Sequence, residues 1–520
     1  MRKIYFLALL LFCQITLFAQ DQGAVHKFFD RGVPERQNKE FQFLAYFFSQ
    51  AVNNNMYPEN DFLKGQIVGR LFGQNTTKTS DTLRSFYVEQ RILPFFIYQP
   101  RLFNGKAILR ASFELDWSWG DVAYGVGGNF GGGFSADQVN LQTQNVELEL
   151  IPWKGWAINV GLMRLFDSPY NPYRTYFDKM TNTGYRLAYW GSDAAGISVR
   201  RDYDYNMWKA GFYQLYENNI EQDDDVTLAE FSYQHSLSPK WNLGASAYWL
   251  RDRSNGEGGP SILGQGLTSI LASYNGVYRF PLGADPYRAD VVWLGGFFGR
   301  NEDLYWDQWS ITGFVNANLG TIRQVNAGEW RKTVDIAGLA ANLKTVWRHG
   351  QTPQDAVTLD LIYASGDDGI SDGTYSGVLT GNNWGSPGAI FISHGSYLLF
   401  PHGNVVNRFV SAVNDISNNG YGISAATLSV SKAFIPNRWY AKAGMASGLS
   451  NVELNNGGVV IGTELNGMTG LQLGPFMNVE LHGAWLNLGD FYDSPVVNGG
   501  EQERPVNPWT AFMVFKWLMF

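Results

Sequence analysis

Lys106-Ala-Ile-Leu-Arg-Ala-Ser-Phe-Glu-Leu-Asp-Trp-Ser-Trp119 separates into two faces when it is read by twos. Ala107, Leu109, Ala111, Phe113, Leu115, Trp117 and Trp119 form one face, and Lys106, Ile108, Arg110, Ser112, Glu114, Asp116 and Ser118 the other. A strand places alternate side chains on opposite faces. The segment therefore reads as a strand with one apolar face, ending in tryptophans, and one wet face.

The pattern returns along the chain. Trp241, Leu243, Ala245, Ala247 and Trp249 alternate with Asn242, Gly244, Ser246 and Tyr248. In Met477–Trp485, Val479, Leu481 and Trp485 oppose Asn478, Glu480 and His482; in Val357–Tyr363, Val357, Leu359, Leu361 and Tyr363 oppose Thr358 and Asp360. In lipid every backbone N–H and C=O must be paired within the protein, which helices and closed barrels alone achieve. Barrel strands alternate apolar-out and polar-in, with aromatic girdles at both interfaces. The expected fold is all-β, a transmembrane antiparallel β-barrel. A soluble sandwich with one dry face is the alternative, with shorter strands.

Composition agrees. The chain holds 18 Trp, 27 Tyr, 35 Phe and 58 Gly, with a mean hydropathy of only −0.20. After the first residues no apolar run is long enough for a spanning helix.

The last twelve residues, Trp509-Thr-Ala-Phe-Met-Val-Phe-Lys-Trp-Leu-Met-Phe520, have the length of one transmembrane strand. Closing on an aromatic residue, they resemble the assembly signal of bacterial outer-membrane barrels. Counting back by twos from Phe520 gives Leu518, Lys516, Val514 and Phe512. Lys516 interrupts this apolar face, which calls for snorkelling to an interface or for a bulge.

At the other end, Arg2 and Lys3 precede an apolar stretch from Ile4 to Phe12, and Ala19 stands before Gln20. This is the pattern of a secretory signal peptide over 1–19. Cys13 is the only cysteine, so a processed chain has no disulfide and no thiolate metal site. Bulky Phe12 ahead of it argues against lipidation. Without Arg2 and Lys3 the 39 basic residues become 37 against 47 acidic ones, a net charge of −10. An acidic balance argues against nucleic acid as a partner.

Sixteen strand-like segments run from Ser85–Tyr98 to Trp509–Phe520, with further ones near Phe41–Phe48 and Gly65–Phe72. The reading is about 16–18 strands, enough to enclose an aqueous channel. Residues 20–40 read as a periplasmic lead-in and 41–520 as the barrel. Ser238-Pro239-Lys240 and Ile435-Pro436-Asn437 read as short periplasmic turns. Asp252–Gly266, Gly366–Gly388, Pro401–Gly420 and Gly489–Pro508 read as long extracellular loops.

No catalytic pattern emerges. His394 and His402, with serines and Asp415 near them, lack any motif, and no HExxH or CxxC is present. Gly125–Gly133 lacks the strand–turn–helix setting of a nucleotide site and reads as a loop tip. The acidic runs Asp223–Asp225 and Asp367, Asp368, Asp372 are candidate loop ion sites or solvated turns. Arg91, Arg110, Arg164, Arg186 and Arg348, with Glu114 and Asp116, are candidate lumen and selectivity residues, since rings of Arg or Lys favour anions. Arg84, Arg200 and Arg331 fall in the same class, and Glu147 and Glu149 are candidate neighbours. An Arg–carboxylate network bracing the wall is the structural alternative. Tyr213 and Tyr248 offer aromatic surface for a sugar, with girdle or packing roles as the alternative. No cofactor is expected.

Trp156-Ala-Ile-Asn-Val-Gly-Leu-Met-Arg164-Leu-Phe and Leu361-Ile-Tyr-Ala-Ser-Gly-Asp-Asp368-Gly resemble segments of outer-membrane porin-like barrels of the alginate-export type. The resemblance implies an arginine-rich lumen conducting an anionic polysaccharide. Arg164, with Arg110 and Arg186, would line the path, and Asp367 and Asp368 would lie near the outer mouth. The Phe18-Ala19-Gln20 ending and the Asn/Tyr/Gly-rich loops are similar to those of exported proteins of the Bacteroidetes. The functional expectation is a passive outer-membrane channel for polar solutes, anionic or carbohydrate. Its expected partners are outer-membrane lipid, the solute and the barrel-insertion machinery. The rivals are a non-conducting docking barrel of a secretion or surface-motility complex and a barrel hydrolase.

Overall fold

The computed structural model describes residues 40–58, 77–119, 133–135, 139–166, 190–203, 205–216, 225–255, 260–261, 264–265, 280, 282, 285–369, 372–379, 395–400, 418–474, 476–498, 500 and 503–519. Eighteen long strands form one closed sheet. They are β1 (Phe41–Asn54), β2 (Ser85–Tyr98), β3 (Ala107–Trp119), β4 (Val139–Leu150), β5 (Trp156–Phe166), β6 (Trp190–Asp202), β7 (Asn206–Tyr216), β8 (Val226–Ser238) and β9 (Trp241–Asp252). They continue with β10 (Tyr287–Arg300), β11 (Trp309–Asn326), β12 (Glu329–Arg348), β13 (Ala356–Ala364), β14 (Ile423–Ile435), β15 (Trp439–Ser450), β16 (Val460–Gly474), β17 (Met477–Leu488) and β18 (Trp509–Met519). Each pairs antiparallel with the next, and β18 pairs with β1 from Ala45↔Met519 to Asn54↔Thr510. Closure leaves no free sheet edge, as a wall in lipid requires.

The alternation holds as expected. Leu109, Trp249 and Leu481 face outward at 45%, 49% and 56% exposure, while Ser112, Tyr248 and Glu480 face inward and are buried. A continuous outer coat of Leu, Val, Trp and Phe is what a membrane-spanning wall requires. Rings cluster toward one rim: Trp309 stacks on Trp347, Phe434 on Trp439, and Trp156 meets both Trp153 and Trp208 edge-on.

Two findings differ from the sequence reading. Trp190–Asp202 is a full strand, with a mixed Gly/Ser/Ala start that gives weak alternation, and it completes the count with β1. Gly65–Phe72 lies outside the described residues, as do 1–39, Gly125–Gly132, Asp223, Asp224 and Phe520. The second finding concerns β18. Phe512, Val514 and Lys516 face the interior, whereas Met513 and Trp517 form the lipid face at 52% and 40% exposure. Lys516 neither snorkels nor marks a bulge; its ammonium bonds Glu480 Oε2 of β17 at 2.9 Å. The inner wall of β18 is largely apolar, so parity counted from the last residue selected the wrong face.

Short connections gather at one rim, the turn end: 99–106, 151–155, 203–205, 239–240, 301–308, 349–355, 436–438 and 475–476. The expected short turns at Pro239 and Pro436 are both there. The opposite rim, the loop end, carries the long connections, with one exception: β11 and β12 are joined by Ala327 and Gly328 alone.

Two local features give tests of the wall. Gly161 of β5 sits at φ +130°, and a Cβ there would lie 2.4 Å from the Val146 carbonyl oxygen of β4. Gly161→Ala is expected to destabilise the barrel by about 1–3 kcal/mol through backbone strain, read as a lower denaturant midpoint. Asp355 closes the 349–355 turn: it accepts from Thr352 N at 3.0 Å, Thr352 Oγ1 at 2.9 Å and Ala433 N of β14 at 3.0 Å. The Thr352 and Ala433 backbone donors hold its carboxyl at about 2, below the ordinary 3.8. A depressed carboxyl contributes stability above its unfolded value and loses it as pH falls through the folded one. The advantage of wild type over Asp355→Asn should therefore stay constant from neutral pH to about 4 and disappear between 3.8 and about 2. Denaturant midpoints of both proteins across that range check it.

Candidate functional site: the barrel interior

The interior changes character along the axis. Toward the turn end it is polar and charged. On β3 to β6, Arg110 Nη2 bonds Glu149 Oε1 at 3.1 Å and Nη1 lies 3.9 Å from Glu147 Oε1. Arg200 reaches Glu149 Oε2 at 3.6 Å and Asp202 Oδ2 at 3.3 Å. Asn159 donates to both glutamates at 3.2 Å. On the next strands Lys209 pairs with Glu230 at 3.0 Å, and Tyr213 donates to the same carboxylate. These residues meet because alternation turns every second side chain of six neighbouring strands, β3 to β8, toward the interior. Each buried charge has an opposite partner, as low dielectric demands.

Across the interior, Glu480 is the centre of a second network. Its Oε1 accepts from Tyr440 Oη and Asn478 Nδ2, both at 2.8 Å. Its Oε2 accepts from Lys516 at 2.9 Å and lies 3.0 Å from His482 Nε2. The other imidazole nitrogen lies 3.0 Å from the Tyr397 hydroxyl, and the ring stacks flat on Phe512 at 4.5 Å. Lys442 of β15 places its ammonium 5.5 Å from the centre of the Tyr397 ring, within cation–π range. Asp360 stands opposite Lys344 in register and accepts from Asn342 at 2.6 Å.

Toward the loop end the inner wall turns apolar, and pieces of the long connections fold in against it. Phe280, Leu282, Tyr375 and Leu379 join Tyr287, Val291, Trp293, Ile322 and Ile336 in one buried cluster. Trp293 donates to the Leu379 carbonyl at 2.9 Å, and Asp335 and Ile336 of β12 pair in parallel with Thr374 and Tyr375. Segment 395–400, Gly-Ser-Tyr-Leu-Leu-Phe, lies inside a second cluster with Phe48, Val52, Ile461 and Phe512. The loops of this rim thus supply buried interior, beyond what their polar composition suggests.

No protein-family model matches the chain, and no curated protein matches it. Among solved structures the chain is similar to Pseudomonas aeruginosa OccK9 (OpdG), at 11% identity over 92% of this chain and 98% of that one, with a TM-score of 0.47. It is likewise similar to the outer membrane protein opdK of that organism (12% identity, 92% and 98% covered, TM-score 0.44). A third is P. aeruginosa OccK2 (OpdF) in complex with glucuronate (11% identity, 92% and 98% covered, TM-score 0.45).

The residues singled out in the sequence fall into separate places. Arg110 is on the inner wall, tied to two carboxylates. Arg91 is on β2, opposite Phe48 and Asp116 in register. Glu114 lies on β3 and Arg164 on β5, opposite Asp193 of β6. Arg348 sits at the turn end and donates to the Leu304 carbonyl at 3.3 Å. Arg84 and Arg331 are at the loop-end rim, the first over the Trp509 ring at 5.7 Å and the second beside Glu329 at 3.3 Å. Arg186, His394, His402 and Asp415 lie outside the described residues.

Two readings need correction. Asp367, Asp368 and Asp372 do not converge on an ion. Asp367 is buried and its oxygens take Gly369 N at 2.8 Å, Ser376 N at 2.6 Å and Ser376 Oγ at 2.9 Å, while Asp372 caps Thr374 N at 2.8 Å. Among the described residues no group of three or more His, Cys, Asp or Glu side chains is arranged to hold a metal. Tyr213 and Tyr248 are each 2% exposed, packed in the same apolar cluster as Phe280 and Trp293, which leaves no ring face for a sugar. Alternation marks Glu480 and His482 as inward, but Lys442, Glu464 and Lys516 carry no local signal of their role. Their partners come from other strands and from segment 395–400.

Proposed function

We propose that the chain is an outer-membrane channel that passes small polar solutes, with anions favoured, by diffusion through the barrel interior. The observation that carries this reading is a closed wall, apolar outside, whose inner face toward the turn end bears Arg110, Arg200, Lys209, Lys344, Lys442 and Lys516 among paired carboxylates. Fixed charges on a pore wall set ion preference, and cations held by wall networks keep a preorganised geometry. In this reading the turn end is periplasmic and the loop end extracellular. Residues 1–19 act as the export signal, and the insertion machinery assembles the barrel. Uronic-acid oligomers are the finer candidate solutes, with Arg110 and Arg164 along their path. The protein needs no cofactor and performs no catalysis.

Liposome swelling tests the solute class. Vesicles carrying the protein should swell faster in small carboxylates than in amines of equal size. Equal swelling would remove the anion preference, and swelling no faster than in protein-free vesicles would remove the channel. A second reading, a non-conducting docking barrel, is favoured by one observation: segment 395–400 and its apolar cluster occupy interior space at the loop end. It predicts the protein-free result.

A further inference from the structure

Segment 395–400 is held inside the barrel by one carboxylate of the wall. Tyr397 N donates to Glu464 Oε1 at 2.7 Å; Leu398 N and Leu399 N donate to Oε2 at 2.9 and 2.8 Å. Ser396 Oγ donates to the same oxygen at 2.8 Å and accepts from Phe400 N at 3.0 Å. Asn466, two residues along β16, donates to Glu464 Oε1 at 2.8 Å and to the Gly395 carbonyl at 2.9 Å. Glu464 and residues Ser396 to Phe400 are all fully buried. Successive backbone N–H groups turned toward one point form an anion-binding nest. Here the anion belongs to the wall.

This arrangement is asymmetric. The wall strands hold one another through long ladders, whereas the N–H groups of 397–400 all go to side-chain oxygens, three of them to one carboxylate. That carboxylate is costly to bury, and the segment supplies most of the donors that compensate it. Neutralising Glu464 leaves several buried N–H groups unmet, and Gln would turn donors of its own into the nest.

We propose that Glu464 is the catch that keeps segment 395–400 inside the barrel, and that releasing it exposes the segment and widens the interior. The consequence for passage rests on the channel reading; the catch does not.

The chain's single cysteine makes the test direct. In a Cys13→Ala background, Leu398→Cys and Leu399→Cys are each made with Glu464 and with Glu464→Gln, and the refolded full chain in detergent is treated with a maleimide dye. Folding is followed by the electrophoretic shift of the unheated barrel. With Glu464 present, labelling should be slow; with Glu464→Gln it should be at least ~100-fold faster, the effect of losing several charge-assisted hydrogen bonds. Equal rates in the two backgrounds would overturn the catch. Hydrogen exchange on the unmodified protein gives a check independent of variant folding. The 397–399 amides should exchange as slowly as those of β16, and exchange at loop rates would overturn the proposal. A Glu464→Gln barrel that labels fast yet conducts no ions keeps the catch and removes the channel reading.

Discussion

Replacing Glu480 by Ala is expected to lower the unfolding free energy of the barrel by about 3–5 kcal/mol, the usual result of removing one member of a buried charge pair. Four groups converge on this carboxylate: Tyr440, Asn478, His482 and Lys516. Truncation leaves the Lys516 ammonium without its counter-charge and Tyr440, Asn478 and His482 without one of their partners. The reverse truncation is not equivalent. In Lys516→Met the carboxylate keeps Tyr440, Asn478 and His482, and the uncharged thioether chain suits the neighbouring Val514 and Phe512. Lys516→Met should therefore cost less than half as much as Glu480→Ala. Denaturant titration of the refolded barrel in vesicles measures both. Equal costs would show the four-way network to be a simple ion pair, and a negligible cost for Glu480→Ala would show that water already reaches the site.

Leu481→Arg, one residue further and on the opposite face, is expected to cost about 2–4 kcal/mol in a lipid bilayer. Leu481 is 56% exposed and surrounded on the outer wall by Val479, Trp485 and Met513. In water an exposed Leu to Arg change falls within about ±0.5 kcal/mol. The penalty therefore reports lipid contact and nothing else in the local structure. It should shrink when the same substitution is made at Trp517, nearer the turn-end rim, where a long side chain reaches the interface. A soluble sandwich would show no such difference.

The pair Glu480–Leu481 also shows how much of the fold is legible in the sequence. Period-two alternation alone gives the wall, its two faces and nearly all of its strands, because lipid on one side leaves few exceptions. It fails where the interior is also apolar. Along β18, Phe512 and Val514 pack inside against His482 and Val52, so two apolar faces compete and the position of Lys516 alone decides between them. It fails again at β6, where Gly191, Ser192, Ala194, Ala195 and Gly196 give little contrast. The site was less legible than the wall. Arg110 and its two glutamates share adjacent strands and could be guessed as neighbours. Glu464 meets Ser396–Leu399 across roughly seventy residues of sequence, and no local pattern encodes a contact made by folding a loop inward. The contacts of Asp367 are as hard to read: two of its donors are the backbone N–H groups of Gly369 and Ser376, which composition does not show.

Single-channel recording of the purified protein in a planar bilayer, with reversal potentials in a salt gradient, tests the central claim most directly. The account predicts steady conductance with anions preferred, reduced by added uronic-acid oligomers, and larger steps in Glu464→Gln. A correctly folded barrel that carries no current, in wild type and in Glu464→Gln alike, would contradict it.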